Sequence, residues 1–336
     1  MAKPKVLVTR RIPSPGIELI GQWCDVSVHE GEELLGREEL IRQVADKDGL
    51  VCIPSDRVDG RVLDAAPKLK VISTFSVGYD HLDVARATRR GVFIGYTPGV
   101  LTDATADHAF ALLMSAARRI VEGDRYTRAG KWIAPLPPLL GESVWGATIG
   151  IVGLGRIGRA VAARAGGFHM SVLYYDVERL SAEEEKALSV AYRPLEDLLR
   201  ESDFVSIHAP HTADTRHLIN EERLRLMKRT AFLVNTSRGS LVDEGALARA
   251  LTERWISGAG IDVYEKEPLA PDSPLMGLDN VTLSPHLGSA TRTARMRMAE
   301  LTAQNLLAVL RGEPPVHWLN PEAARVRPLS SVKMLE

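Results

Sequence analysis

Cysteine is nearly missing from this chain: 336 residues carry only Cys24 and Cys52. They are far apart, and no histidine lies beside them at metal-ligand spacing. That excludes a disulfide framework and a zinc module, and both thiols read as small buried hydrophobes. No metal site is expected. No apolar run approaches the roughly 20 residues needed to cross a bilayer, and the opening MAKPKVLVTR lacks the apolar core of a signal peptide. The expected location is the cytoplasm, with no membrane partner. Excess charge is missing as well: 42 Lys+Arg against 43 Asp+Glu leave a net charge of −1, so no broad electrostatic footprint for nucleic acid exists. Internal repeats and low-complexity tracts are also lacking.

What is present is an ordinary globular balance, 45% hydrophobic and 25% charged, in a chain longer than one hydrophobic core usually reaches. Two domains are the natural expectation. Short β-branched runs alternate with amphipathic stretches, the signature of strands joined by crossover helices. In the first block the strand-like runs are 6–8, Asp25–Val28, 49–53, Val71–Thr74 and 92–94, with helical stretches at 14–22, Arg37–Val44 and 59–66. A long Ala-, Leu- and Met-rich stretch, 101–121, is apolar on more than one face and must be buried. It reads as the bridge into the second domain and as a subunit contact. Residues 130–145 carry three prolines and no periodicity, hence a structured loop. A second alternation follows, with strands expected at Thr148–Val152, Ser171–Tyr175, 204–208, 231–235, 258–263 and Val281–Leu283. A last amphipathic helix spans 291–310, and a polar tail from 320 drapes over the surface. The fold class expected is α/β, two doubly wound parallel-sheet Rossmann-like domains, the N-terminal one flavodoxin-like. Residues 1–98 with 293–336 form a discontinuous substrate domain and 99–292 the dinucleotide domain.

Gly153, Gly155 and Gly158 make a G-x-G-x-x-G pattern between a strand and a helix. The first glycine permits the tight turn, the second lets backbone approach a pyrophosphate, and the third lets helix and strand pack closely. Leu154, Arg156 and Ile157 complete the loop, whose free N–H groups and helix dipole suit an anion. The next strand ends at Asp176, eighteen residues beyond Gly158 and close to the spacing of a ribose-binding acid. A carboxylate there accepts hydrogen bonds from both ribose hydroxyls of NAD and repels the 2′-phosphate of NADP. NAD is the expected cofactor and NADP the second choice, because Arg179 is close enough in sequence to soften the preference.

Ligands of open α/β sheets bind where strands end. Strand 231–235 runs into Thr236, Ser237 and Arg238; strand 258–263 leads through Asp262 to Glu267; strand Val281–Leu283 ends in Ser284-Pro-His286-Leu-Gly288. Arg238 presents a planar fork for a carboxylate and a carbonyl oxygen. His286 can donate the proton a carbonyl oxygen needs as hydride arrives, and Glu267 on its far nitrogen favours the imidazolium. Together the three fit reduction of a 2-keto acid. Taken singly, each has a plainer reading: a capped loop histidine, a surface ion pair, a solvated charge. His208, with Ala209 and Pro210, is expected to flank the cofactor, and Thr236, Ser237 and Gly288 complete the cofactor contacts. His211 and His217 read as exposed, and His81 and His108 as weaker candidates still.

The ordered motifs 76-SVGYDHLD-83, 96-YTPGVLTDATAD-107, 150-GIVGLGRIG-158, 235-NTSRG-239, 260-GIDVYEKEP-268 and 284-SPHLGSAT-291 cover nearly the whole chain. In them it resembles the D-isomer-specific 2-hydroxyacid dehydrogenase family, in the pattern of its glyoxylate/hydroxypyruvate reductase branch. The resemblance implies that Arg238, Glu267 and His286 are the reacting residues. It also implies that the N–H groups of Val77 and Gly78 hold the substrate carboxylate and that Asp262 faces the nicotinamide carboxamide. It further implies a homodimer built around 101–121 and a cleft that closes between domains. NADP-preferring relatives often carry Ser-Arg-type residues where this chain has Asp176-Val-Glu-Arg179. The alternatives are another D-2-hydroxyacid dehydrogenase, acting on D-lactate, D-glycerate or 3-phosphoglycerate, or a nucleotide-sensing, corepressor-like binding protein.

Overall fold

The computed structural model describes residues 3–31 and 33–336. It divides into two compact units, residues 1–101 with 291–336, and residues 102–290. Each is built on a parallel sheet, so the α/β expectation holds in both.

In the first unit the strands are β1 Lys5–Val8, β2 Asp25–Val28, β3 Gly49–Cys52, β4 Val71–Thr74 and β5 Phe93–Gly95. They pair in parallel in the order β2-β1-β3-β4-β5, the flavodoxin-like order. β3 and β4 are buried along their whole length. Burial on both faces is why β3, GLVC, reads as a continuous apolar run, while β4, VIST, buries Ser73 and Thr74 as well. Asp59 and Asp83 cap the helices Gly60–Ala65 and Val84–Arg89 by accepting first-turn N–H groups, the donors a helix start leaves unpaired. The helix Arg292–Leu310 is bound to the sheet through the Ser73 hydroxyl, which donates to the Thr302 carbonyl at 2.8 Å. Its buried Asn305 donates to the Tyr96 carbonyl at 2.9 Å and accepts from the His317 N–H at 3.0 Å.

The second unit carries β6 Thr148–Val152, β7 Ser171–Tyr175, β8 Val190–Tyr192, β9 Phe204–Ile207, β10 Phe232–Asn235, β11 Gly258–Ile261 and β12 Val281–Leu283. The order is β12-β11-β10-β9-β6-β7-β8. Strand order reverses at β6, so its carboxyl end is a topological switch point where such sheets open a crevice. One face is filled by residues such as Leu198, Leu233 and Leu251, the other by Phe110, Ile149 and Tyr174. The helix Thr102–Ala117 rests directly on β11. A Cβ on Gly260 would come within 2.9 Å of the Leu112 Cβ, closer than packed carbons tolerate.

Three expectations are corrected. The stretch 101–121 is not one helix: it stops at Ala117, Arg119 takes a left-handed φ of 53°, and a new helix runs Ile120–Arg128. No residue in RRI announces that break, because arginine is an ordinary helix former. The edge strand β8 was not foreseen, its three residues VAY being too short to show a period. The tail forms a helical turn at Ala323–Val326 and a 3-10 turn at Leu329–Val332, and it buries Val332 and Leu335.

Candidate active site

The glycine loop follows β6. Gly153 has φ +93°, and a Cβ there would meet the Ala209 N at 2.6 Å; a Cβ on Gly158 would meet the Gly153 carbonyl oxygen at 2.2 Å. Both positions are closed to side chains by backbone. Gly155 differs, since a Cβ there meets no atom within 4 Å. Gly155 is the N-cap of the next helix, a position that favours glycine, and the space beside it is open to a ligand's approach. Gly155 and Arg156 are exposed, Ile157 half-buried and Leu154 buried. The helix Arg156–Gly166 starts here without a side-chain cap, so its leading N–H groups and dipole face an anion's position.

Asp176, at the end of β7, accepts the Leu154 N–H at 2.7 Å on Oδ2 and the Val177 N–H at 2.8 Å on Oδ1. One donor per oxygen leaves acceptor capacity on both. Arg179 turns away from it: its Nε donates to Glu185 at 2.9 Å and its guanidinium lies 5.2 Å from the Tyr192 ring centroid.

β9 to β12 lie side by side and parallel, so the residues that follow them share one edge. After β9, His208 contacts the Ser206 hydroxyl at 2.8 Å, and desolvation pushes its imidazole down to about 4. It is neutral at pH 7. The Ala209 carbonyl accepts from the Ser237 hydroxyl at 2.5 Å and the Pro210 carbonyl from Thr215 at 2.8 Å. After β10, the buried Asn235 side chain accepts the Ser237 N–H at 3.0 Å and donates to the Arg238 carbonyl at 2.9 Å, folding the turn that carries Arg238. The guanidinium donates to the Ser237 carbonyl at 2.8 Å. Gly239 seats this turn against the next loop, because a Cβ on it would lie 1.8 Å from the Tyr264 carbonyl carbon. Thr236 Oγ1 is buried without a hydrogen-bond partner, a cost of about 1–3 kcal/mol that a bound polar ligand relieves.

Asp262 organises the loop after β12. Its buried carboxylate accepts from the Ser284 hydroxyl (2.7 Å), the Leu287 N–H (2.7 Å), the Gly288 N–H (2.8 Å) and His108 Nε2 (3.1 Å). Burial pushes its pKa up, but His108, Ser284 and the Leu287 N–H outweigh that and hold it below the usual carboxylate range. The loop is thereby clamped on both sides of His286, which sits at φ 55° with its N–H on the Asp262 carbonyl at 2.9 Å. His286 Nδ1 lies 2.7 Å from Glu267 Oε2, and Glu267 Oε1 accepts the Tyr264 N–H at 3.1 Å. A carboxylate can only accept, so Nδ1 carries the proton and Nε2 is the nitrogen left for chemistry. The His286 ring is 39% exposed.

Sequence reasoning passed over His108, which joins Asp262 and, at 2.9 Å, Ser284. Its partners lie more than 150 residues away, and no local spacing signals that. His211 and His217 are half-buried: His211 Nδ1 is 2.8 Å from the Ser240 hydroxyl and His217 Nε2 is 3.0 Å from Glu265. In the first unit, Val77 and Gly78 follow β4, and neither N–H donates to a protein group among the described residues. Two adjacent backbone donors at a strand end are thus left without a protein acceptor.

The residues present therefore fit a nicotinamide dinucleotide: a loop open at Gly155, an uncapped helix start, a carboxylate with spare lone pairs and an orphan hydroxyl at Thr236. Comparison with known proteins agrees. Residues 110–288 match the family model for the D-isomer specific 2-hydroxyacid dehydrogenase NAD binding domain. A curated glyoxylate reductase of Thermofilum pendens is 53% identical over 338 residues, covering 100% of both chains. This chain belongs to the D-isomer specific 2-hydroxyacid dehydrogenases. Among solved structures, a Thermus thermophilus protein aligns with a TM-score of 0.88 at 47% identity, over 94% of this chain and 99% of that one. An NADPH-dependent glyoxylate/hydroxypyruvate reductase of Sinorhizobium meliloti, in complex with NADP and malonate, aligns with a TM-score of 0.84 at 32% identity, over 96% and 98%.

Proposed function

We propose that this chain reduces glyoxylate and hydroxypyruvate to the corresponding D-2-hydroxy acids, with NADH as the preferred reductant. The observation that carries the reading is the 2.7 Å contact between Glu267 and His286 Nδ1, beside the Arg238 turn and in the same unit as the glycine loop. The curated Thermofilum relative, a glyoxylate reductase identical at 53% of positions, supports the substrate class.

When bound, the nicotinamide supplies a hydride to the carbonyl carbon of the 2-keto acid. His286 Nε2 gives a proton to the carbonyl oxygen, which completes the hydroxyl, and Glu267 holds the ring and stabilises its positive charge beforehand. Arg238 polarises the carbonyl and grips the carboxylate with its fork. The N–H groups of Val77 and Gly78 are the backbone donors proposed for the substrate carboxylate. Asp176 receives the ribose hydroxyls, and the engagement of Arg179 by Glu185 leaves little to welcome a 2′-phosphate, hence NAD over NADP. Thr236, Ser237, Asp262, Gly288, His208, Ala209 and Pro210 line the cofactor.

The working form is a cytoplasmic homodimer with no nucleic-acid or membrane partner. Trp132, Ile133, Leu136 and Leu140 are all more than 60% exposed on one segment, an apolar strip that a lone subunit rarely leaves open. No helix among the described residues is long and apolar enough to cross a membrane.

The test is loss of NADH absorbance when glyoxylate meets the purified protein. His286→Ala should lower kcat by about 10²–10⁴ while NADH still binds. Absence of turnover with glyoxylate, hydroxypyruvate and pyruvate alike would overturn the reading.

A further inference from the structure

The first unit contains a side-chain hydrogen-bond chain that ends on the loop proposed to hold the substrate carboxylate. His81 Nε2 lies 3.0 Å from Thr74 Oγ1, Thr74 Oγ1 lies 2.7 Å from Ser76 Oγ, and Ser76 Oγ lies 2.7 Å from the Gly78 carbonyl oxygen. Cys52 Sγ, at the end of β3, stands 4.0 Å from the same ring nitrogen. The members come from neighbouring parts of the sheet edge: Thr74 closes β4, Ser76 and Gly78 form the loop behind it, and His81 follows.

Counting protons fixes the direction of the chain. A carbonyl oxygen only accepts, so the Ser76 hydroxyl proton is committed to Gly78. The Thr74–Ser76 contact then needs the Thr74 proton. With both hydroxyl protons spent, the contact between Thr74 and the imidazole requires a proton on His81 Nε2. Donation therefore runs His81 to Thr74 to Ser76 to the Gly78 carbonyl.

This direction has a purpose at its far end. Glycine is the residue with the greatest backbone freedom, and the N–H of Gly78 must stay aimed beside that of Val77 if the two are to grip one carboxylate. A carbonyl held by a side chain removes that freedom before substrate arrives. We infer that His81 is a positioning residue for the 2-keto acid, setting the substrate-carboxylate loop Ser76-Val77-Gly78 through Thr74 and Ser76. The inference rests on the assignment of Val77 and Gly78 to the substrate carboxylate. Acting through the loop that holds the carboxylate, His81 should affect KM and not kcat or cofactor affinity.

Two measurements test it. The first is the imidazole tautomer of His81 in the cofactor-free protein, read from long-range proton–nitrogen correlations and assigned by the signal missing in His81→Gln. A proton on Nε2 is expected. A proton on Nδ1 alone would overturn the chain whatever the kinetics show. The second is a kinetic set with glyoxylate and NADH. His81→Leu should raise KM for glyoxylate about tenfold, as small misplacements of binding groups do, with kcat and the NADH dissociation constant within about twofold. His81→Gln, whose amide nitrogen can stand near the Nε2 position, should bring KM back to within about twofold of the parent. Ser76→Ala should match His81→Leu, and the double variant should be no worse than Ser76→Ala, because both break one chain. If Ser76→Ala raises KM and His81→Leu does not, the loop binds the carboxylate but His81 does not position it. If neither raises KM, the carboxylate reading of the loop fails together with the inference.

Discussion

Asp262 and His108 lie 154 residues apart in the chain and 3.1 Å apart in space, Nε2 to Oδ1. Through Asp262, whose other donors are Ser284, Leu287 and Gly288, a residue of the helix Thr102–Ala117 helps to seat the loop that presents His286. Replacing His108 by Leu removes one donor from a buried carboxylate. We expect a stability loss of about 2 kcal/mol, measured by urea unfolding, and a several-fold drop in kcat/KM. Gln in its place should restore most of both.

Glu267→Gln keeps the size of the partner of His286 but not its charge. Without a carboxylate on Nδ1 the imidazolium loses its stabilisation, and kcat should fall by about 10²-fold. NADH affinity, followed by fluorescence titration, should stay put. Loss of cofactor binding instead would place Glu267 in the cofactor site rather than the proton path.

Asp176→Ala deletes the acceptor expected to receive the ribose hydroxyls. NADH affinity should weaken about tenfold while NADPH affinity changes little or improves, since a buried hydrogen bond to a charged group is worth about 1.5–3 kcal/mol. The ratio of the two dissociation constants is the measurement. An unchanged ratio removes the argument for NAD preference.

His208 gives the fold a pH signature. Its imidazole is held at about 4 by desolvation against 6.5 for the free side chain. Between those values the unfolded chain binds a proton that the native state refuses, so unfolding free energy falls as pH drops from about 6.5 towards 4 and the effect is complete below 4. The complete loss is on the order of 3 kcal/mol. Urea midpoints at pH 7 and pH 5 should differ, and His208→Gln should flatten the difference.

Much of this was legible before any coordinates. The glycines 153, 155 and 158, the strand ahead of them and the acid at 176 are local signals, each with its own steric or electrostatic cause, and the parallel α/β fold follows from the run of buried strands. The pairing of Glu267 with His286 could be anticipated because parallel strands bring their carboxyl ends to one edge. What could not be read were contacts made by tertiary packing alone. The left-handed turn at Arg119 has no compositional marker, β8 is too short to show a period, and His108 looks like any polar residue on an apolar helix until Asp262 is folded against it. The hydrogen bonds from His81 to Gly78 span only a few residues, yet their direction emerges only from atom positions.

Gly239 leaves one further consequence. Because main chain lies against main chain there, with no room for a methyl group beside the Tyr264 carbonyl, the spacing between the arginine-bearing turn and the neighbouring loop is set by peptide geometry and is indifferent to which side chains surround it. Substitutions around that seam leave the turn that carries Arg238 on its footing, whereas any side chain at 239 itself would pry the two loops apart.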